Sequence, residues 1–123
     1  MSSSPSDALQ TELETKREQF LLAMLRATVP LEGVSEADRR QFVAGYLDLI
    51  VHAAHGDLGP RDAYLEGVIP GIKGAGMPFD YVLSAMAGVA MAIASVAAPE
   101  HLAWHVEFTR DYVALLARQW ARS

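Results

Sequence analysis

The sequence predicts an all-α bundle of about five or six helices, and three observations support this fold class. Of the 123 residues, 20 are Ala and 14 are Leu, two residues of high helix propensity, whereas the β-branched residue Ile is rare. Apolar residues recur at steps of three and four along the chain, which is the period of a helix with one buried side. The alternation of apolar and polar residues that is typical of a strand appears nowhere.

Length and composition predict one domain and exclude several classes of protein. A chain of 123 residues has the usual size of a single domain. We expect a disordered tail at residues 1–5 and one helical domain at residues 6–123. The net charge of −5, without a basic cluster, argues against a nucleic-acid partner. The chain has no Cys, which excludes disulfides, thiol catalysis and thiolate metal sites.

The first predicted helix covers residues 7–28, with Ser6 as its N-cap and Pro30 as its stop signal. Its apolar stripe consists of Leu9, Leu13, Phe20, Leu21, Met24 and Leu25. Between these residues we expect a charged, solvated face made of Glu12, Glu14, Lys16, Arg17 and Glu18.

The second predicted helix begins after Ser35 and ends before Gly56. Ser35 and Asp38 resemble a capping box in which Asp replaces Glu. Gly56 stands where a helix commonly ends in the left-handed conformation. The apolar side of this helix is formed by Phe42, Val43, Tyr46, Leu47, Ile50, Ala53 and Ala54.

The third predicted helix begins at Pro60, since proline is favoured at a first helical position. Pro70 lacks an amide donor, so we expect a kink or an early end there. The glycines that follow are expected to form a turn, and they are Gly71, Gly74 and Gly76. No Lys-Ser or Lys-Thr pair follows them, so they do not match a phosphate-binding loop.

The fourth predicted helix opens at Pro78 and is apolar over an unusual length. Residues 81–99 carry no charge over 19 positions, which is near the length of a membrane span. The stretch is mostly Ala, however, so we expect a central helix that neighbouring helices bury on most sides. A row of small residues at every fourth position predicts close packing of another helix, and it consists of Ser84, Gly88 and Ala92.

The fifth predicted helix opens at Pro99 and carries two apolar rows. One is a heptad seam that we expect to face the core, formed by Leu102, Val106, Thr109, Val113, Leu116 and Trp120. The other is rich in aromatic residues and consists of His101, His105, Phe108, Tyr112 and Leu115. Because one stripe is enough to anchor a helix, the second row predicts a contact with a second copy of the chain. Another protein, or a further layer of the same core, are the alternatives.

The four His residues form two pairs at helical spacing. His52 with His55, and His101 with His105, could each share one helix face. No third ligand stands at a suitable spacing in apolar surroundings, so we expect no metal site. Asp48 is expected to pair with His52 on the surface. We find no catalytic constellation, and we expect a protein without enzymatic activity or cofactor.

Three segments together resemble a known family of regulators. They are residues 41–50 (QFVAGYLDLI), the Gly-Asp break at residues 56–57, and residues 76–83 (GMPFDYVL). The pattern resembles the N-terminal sensor domain of RsbR-type stressosome regulators, and the resemblance extends over residues 10–118. The quoted motifs are short and mostly apolar.

The resemblance implies a globin-like fold without haem, which dimerises through its last helices and senses a signal that is not identified. Members of this family usually continue into an output domain after this module, so we expect a stand-alone copy to act through another signalling protein. The N-terminus shows no signal-peptide pattern, and Gly is absent at position 2. We therefore expect a cytoplasmic homodimer that does not bind membranes. The alternatives are a haem- or small-ligand-binding protein of globin type, with His105 or His55 as the iron ligand, and an enzyme with a His-carboxylate metal site.

Overall fold

Six α-helices form the computed structural model, which describes residues 5–28 and 34–123. They are α1 (Pro5–Thr15), α2 (Arg17–Ala27), α3 (Glu36–Ala54), α4 (Gly59–Gly74), α5 (Phe79–Val96) and α6 (Leu102–Arg122), and a 3₁₀ turn at Pro99–His101 precedes α6. No strand occurs in the described ranges, so the predicted all-α class is confirmed. Most of the predicted tail lies outside the described residues, and α1 begins at its last residue, Pro5.

The helices enclose one apolar core. The most extensive contact joins α2 to α5, while α6 packs on both α5 and α4, and α1 packs on α3. Every helix contributes to the core, whose largest fully buried side chains include Leu13, Phe20, Tyr46, Leu65, Met86 and Tyr112.

The predicted first helix is two helices that meet at Lys16. Its backbone leaves helical geometry there, with φ −106° and ψ 14°. The change of direction lets the single apolar stripe serve two neighbours, because α1 packs on α3 whereas α2 packs mainly on α5. The chain leaves α2 at Thr28, which is extended, and the predicted stop at Pro30 lies outside the described residues.

The predicted boundaries of the second helix are confirmed by the geometry of its ends. The Ser35 hydroxyl accepts a hydrogen bond from the Asp38 amide at 3.0 Å, which satisfies one of the first free N–H groups of α3. At the other end Gly56 has φ +84°, a conformation that glycine adopts at little cost.

Of the kink or early end expected at Pro70, the early end does not occur, and the helix continues to Gly74. The predicted glycine turn is shorter than expected: Gly71 and Gly74 are helical, and of the three glycines only Gly76, with φ +75°, makes the turn. Pro70 is exposed and has no backbone N–H group, so α4 lacks one hydrogen bond at this point. The helix tolerates this loss because Leu65 and Ile69 pack in the core.

The small-residue row on α5 is divided between core and solvent. A Cβ atom placed on Gly88 would lie 2.5 Å from the backbone oxygen of Ala27, so the backbones of α2 and α5 touch at this point. Ala92 is buried on the same side, whereas Ser84 is exposed. The close contact therefore depends on Gly88, because any side chain there would meet a backbone atom.

In contrast to the prediction, one side of α5 remains open. This helix has the length and composition of a membrane span, with a mean hydropathy of 1.6, but 33% of that span is buried inside the bundle. Its contacts with α2 and α6 account for its apolar character on two sides. The remaining side faces solvent.

The prediction for the aromatic row on α6 is wrong, whereas most of the heptad seam meets the core as expected. The row expected to face a second copy enters the core: His101, His105, Phe108 and Tyr112 are buried and Leu115 is half-buried. In the heptad seam Leu116 is buried and Val106 is 56% exposed, and the half-buried residues that pack against the core are Leu102, Val113 and Trp120. The aromatic row goes inward because its large rings bury more apolar area than Val and Thr side chains do.

Two rings of this row meet Tyr46 of α3. The Tyr46 ring makes edge contacts with Tyr112 and Phe108 at centroid distances of 4.9 and 5.9 Å. The Tyr46 hydroxyl pairs with Thr109 at 3.2 Å, so the one polar atom of the ring finds a partner. The alternative of a further layer of the same core therefore describes the aromatic row.

Candidate functional site

A buried carboxylate ties α1 to the start of α6. Glu12 is 7% exposed, although the sequence places it among the charged residues of a solvated face. Its Oε2 atom accepts hydrogen bonds from the Ala98 amide at 2.9 Å and from Lys16 Nζ at 3.1 Å. Its Oε1 atom lies 3.1 Å from Nδ1 of His101. These three partners surround one carboxylate and offset the free-energy cost of burying its charge.

The environment of Glu12 favours its charged form. Burial raises the pKa of Glu12, but the Ala98 amide, His101 and Lys16 together outweigh it and hold this pKa below its usual value. Lys16 also donates to the backbone oxygen of Val96 at 3.3 Å. The break between α1 and α2 thus sits directly against the connection between α5 and α6.

His105 lies one helical turn beyond His101, and its imidazole ring has no hydrogen-bond partner. It is 4% exposed, and neither Nδ1 nor Nε2 has a partner. Its ring is packed against Trp104 and Phe20, with centroid distances of 5.2 and 6.0 Å. Desolvation lowers the pKa of His105 to about 4; Glu12 opposes this shift and His101 adds to it. The imidazole is therefore neutral at pH 7.

The bonds of Glu12 with the Ala98 amide, Lys16 and His101 hold α1 against the start of α6, and they depend on the protonation of Glu12. No group of three His, Cys, Asp or Glu side chains in residues 5–28 and 34–123 is placed to hold a metal ion. Thr11 and Thr15, which line the same surface cleft as Glu12, donate their hydroxyl hydrogens to the backbone of their own helix.

The other His pair lies on the surface. His52 and His55 are both exposed near the end of α3. The expected pairing of Asp48 with His52 is replaced by an ion pair with Arg17 of α2, at 2.8 Å. The longer arginine side chain reaches across from the neighbouring helix, a partner that spacing within one helix does not reveal.

A second feature is an apolar surface on the open side of α5 and the adjoining turn of α6. Met91 is 75% exposed and Val106 is 56% exposed, the two largest exposures among the large apolar side chains of the described residues. Ala87 and Ala94, on the same side of α5 as Met91, are exposed as well. We call Ala87, Met91, Ala94 and Val106 the outer α5–α6 surface.

Sequence reasoning missed Glu12 although a signal was present. Glu12 stands three residues after Leu9 and directly before Leu13, so helical spacing places it at the edge of the apolar stripe. A carboxylate in that position needs partners, and two of its three partners, Ala98 and His101, lie more than eighty positions away. Spacing could therefore indicate the burial of Glu12 and its pairing with Lys16, but not the other two partners.

Comparison of the chain with protein-family models, with curated proteins and with solved structures finds no match.

Proposed function

We propose that this protein is a non-enzymatic sensor or regulatory interaction module, which acts in the cytoplasm as a homodimer in bacterial stress signalling or a related pathway. The resemblance of residues 41–83 to RsbR-type sensor domains supports a regulatory role and a globin-like arrangement of the helices. The observation that carries the proposal is the outer α5–α6 surface, because it gives the module a face with which to bind.

The two parts of this surface lie at a similar level of the bundle. The helices α5 and α6 pack against each other and are joined by residues 97–101, so they run in opposite directions. Met91 stands five residues before the end of α5, and Val106 stands four residues after the start of α6. Single exposed apolar residues are ordinary, but large ones at matching levels of two adjacent helices indicate an interaction surface.

Charge favours a second copy of the chain as the occupant. Each chain carries a net charge of −5, so two copies repel each other unless their contact lies on an uncharged surface. Between Asp80 and Glu100 the sequence carries no charged residue, and this stretch includes the whole outer side of α5 beyond its first turn. Two-fold packing would place the same face of each copy against its mate.

Substitution of the outer surface tests the proposal. Met91→Glu and Val106→Glu should each yield a folded monomer, because each places a charge against its own copy. Burial of Met91 contributes roughly 1.5–3 kcal/mol per copy, so we expect dimer dissociation to become at least about a hundredfold easier. The control is Leu58→Glu, at an exposed apolar residue that precedes α4 and lies outside these four residues, which should leave the dimer intact.

Light scattering gives the mass of each variant, and far-ultraviolet circular dichroism verifies its helical content. If the wild-type chain is monomeric at a concentration on the order of 100 micromolar, the proposal of a homodimer is wrong. Variants that remain dimeric while folded would place the contact elsewhere on the molecule.

The second candidate function is a haem-binding protein of globin type, and the unbonded nitrogens of His105 are the observation in its favour. We expect no haem, because Trp104 and Phe20 pack against that imidazole at 5.2 and 6.0 Å. Protein purified with haem supplied should show no stoichiometric Soret absorption. A Soret band that disappears in His105→Ala or His55→Ala would establish the haem protein instead.

A further inference from the structure

A surface cleft lies where the connection between α3 and α4 passes beside the first half of α6. Its volume is about 310 Å³, and the residues that decide its chemistry are Leu58, Arg61, Trp104, Glu107, Phe108 and Asp111. We call it the α4–α6 cleft. Val106 of the outer α5–α6 surface stands two positions from Trp104 and from Phe108, so at about 100° per residue it lies on the opposite side of α6. The cleft is therefore separate from the surface on which the proposed homodimer rests.

One face of α6 supplies both the aromatic and the acidic part of this cleft. The four residues stand at positions i, i+3, i+4 and i+7, which share one side of a helix, and they are Trp104, Glu107, Phe108 and Asp111. The Trp104 and Phe108 rings are stacked, with a centroid distance of 5.6 Å and an angle of 12° between their planes. Trp104 is half-buried, so part of its ring is accessible, and both carboxylates are exposed. A ligand in the cleft thus meets an aromatic ring and two carboxylates together.

The negative charge of the cleft is not balanced by a neighbouring base. Glu107 and Asp111 form no ion pair with a basic side chain within residues 5–28 and 34–123. Arg61, the basic residue of the lining, already donates from Nε to Asp62 at 3.2 Å, and its side chain is only 12% exposed. The net charge of −5 on the whole chain adds a long-range attraction, so the cleft favours a cationic occupant.

Another part of the lining is apolar. Leu58, which directly precedes α4, is 44% exposed. A metal ion or a small cation would leave Leu58 and the accessible part of Trp104 in contact with water. A protein segment covers such side chains and presents a cation at the same time, so it is the occupant that matches the whole lining.

Arginine is the cation that fits these groups best. Its planar guanidinium stacks on aromatic rings, and its five N–H donors can bind more than one carboxylate. An interior cavity of roughly 150 Å³ holds one benzene molecule, so a cleft of about 310 Å³ has room for two side chains. We propose that the α4–α6 cleft binds a segment of another protein in which an arginine stands beside an apolar residue. The arginine contacts Trp104, Glu107 and Asp111, and the apolar residue contacts Leu58.

An NMR titration of the wild-type protein with a model peptide tests the proposal. The probe is acetyl-Arg-Leu-Arg-Leu-Arg-amide, and acetyl-Gln-Leu-Gln-Leu-Gln-amide is its neutral counterpart with the same apolar residues. We expect saturable binding of the arginine peptide with a dissociation constant of about 1 mM or lower, and binding of the glutamine peptide at least about tenfold weaker. The largest shifts of amide signals should fall in residues 53–61 and 104–111. Equal affinities, the absence of saturable binding, or shifts spread evenly over the protein would overturn the proposal.

Removal of the two carboxylates separates the charge of the cleft from the charge of the whole chain. Glu107→Gln combined with Asp111→Asn should weaken binding of the arginine peptide at least about tenfold, because the guanidinium loses both charged acceptors. The matched control is Glu14→Gln combined with Glu18→Gln, which removes the same charge from two exposed carboxylates, also four positions apart, outside the cleft. This control should change the affinity less than about twofold. If both double variants weaken binding equally, the peptide responds to overall charge alone and the proposal is wrong.

The apolar contact is tested in the same way. Leu58→Ala should weaken binding of the arginine peptide about threefold or more, because part of the buried apolar surface is lost. Leu22→Ala, at a leucine that is 41% exposed and lies outside the cleft, should leave the affinity unchanged. All of the substituted side chains are exposed, so we expect folded variants, which circular dichroism verifies. Wild-type affinity in Leu58→Ala would overturn the proposed contact.

The molecular mass decides between this partner and a second copy of the chain. If a second copy covered the cleft, Leu58→Glu would be monomeric, and this inference would be wrong. A wild-type dimer that does not bind the arginine peptide contradicts this inference alone. A wild-type monomer that binds the peptide contradicts the homodimer alone.

Discussion

His105 places two ring nitrogens in the core without a hydrogen bond to either. Its ring packs on Trp104 and Phe20, and the opposing effects of Glu12 and His101 on its pKa do not offset desolvation, so a proton on this imidazole would be a poorly solvated charge. The folded protein therefore excludes the proton that the unfolded chain accepts. This difference makes the free energy of unfolding depend on pH in a range where carboxylates are still charged.

The sign of that dependence follows from the two pKa values. Burial lowers the pKa of His105 to about 4 in the folded state, against about 6.5 in the unfolded chain. Between these values the unfolded chain binds more protons, so stability falls as the pH falls. We expect His105 to cost about 2 kcal/mol of the unfolding free energy between pH 7.5 and pH 5, as measured by urea denaturation at each pH.

His105→Leu should remove most of this loss. Leu has no proton to exclude, and the imidazole nitrogens have no partners to leave behind, so the variant should be at least as stable as the wild type at pH 7.5. The matched control is His52→Leu, which changes an exposed His and should retain the wild-type slope. A His105→Leu protein that still loses about 2 kcal/mol between the two pH values would show that another group is responsible.

Glu12 becomes important at lower pH. Its pKa is held below the usual value, so its contribution is complete above about 4.5 and is lost as the pH falls through the folded-state pKa. Protonation would weaken its bonds with the Ala98 amide, Lys16 and His101 together. Because this loss begins below the range chosen above, the two groups can be separated by experiment.

At the scale of the helices, the backbones of α2 and α5 come into close contact at Gly88. The neighbour that a Cβ atom would meet is the backbone oxygen of Ala27, which cannot rotate away as a side chain can. The two helices would have to separate to admit any larger residue. Their extensive contact makes that separation costly.

Gly88→Ala should lower the free energy of unfolding by about 1–3 kcal/mol, in spite of the higher helix propensity of Ala. The matched control is Gly67→Ala in α4, where a new Cβ atom has no neighbour within 4 Å. This control should stabilise the protein by about 0.5–1 kcal/mol, because Ala is favoured over Gly inside a helix. Denaturation midpoints give both values. Equal effects of the two changes would show that α2 can move away from Gly88 at little cost in free energy.

At the scale of the whole molecule, the sequence could predict the helices but not all of their partners. Helix ends were predicted from the local preferences of Ser35, Gly56 and Pro78, and in the structure each of these residues lies at a helix end. The orientation of α6 could not be predicted in this way, because two apolar rows have the same period and the choice depends on α2 and α3.

The candidate site was harder to predict than the fold for the same physical reason. The spacing around Glu12 could indicate its burial and its pairing with Lys16, whereas Ala98 and His101 lie more than eighty residues away. An apolar cleft is lined by residues near the ends of α2 and α4 and the starts of α3 and α5, and no local pattern indicates that these four helix ends meet. The outer α5–α6 surface was hidden by the expectation that neighbours cover most sides of α5.

The bonds of Glu12 and Lys16 also impose an order on folding during synthesis. Glu12 binds the amide of Ala98, 86 residues later in the chain, and Lys16 reaches Val96, 80 residues later. The ribosome makes α1 before α5, so Glu12 and Lys16 cannot reach these partners until residues 96–98 have been made. Until then α2 lacks α5, its main neighbour, and can pack only on α1 and α3. Helices α1 and α2 are thus made well before the contacts that fix their final positions.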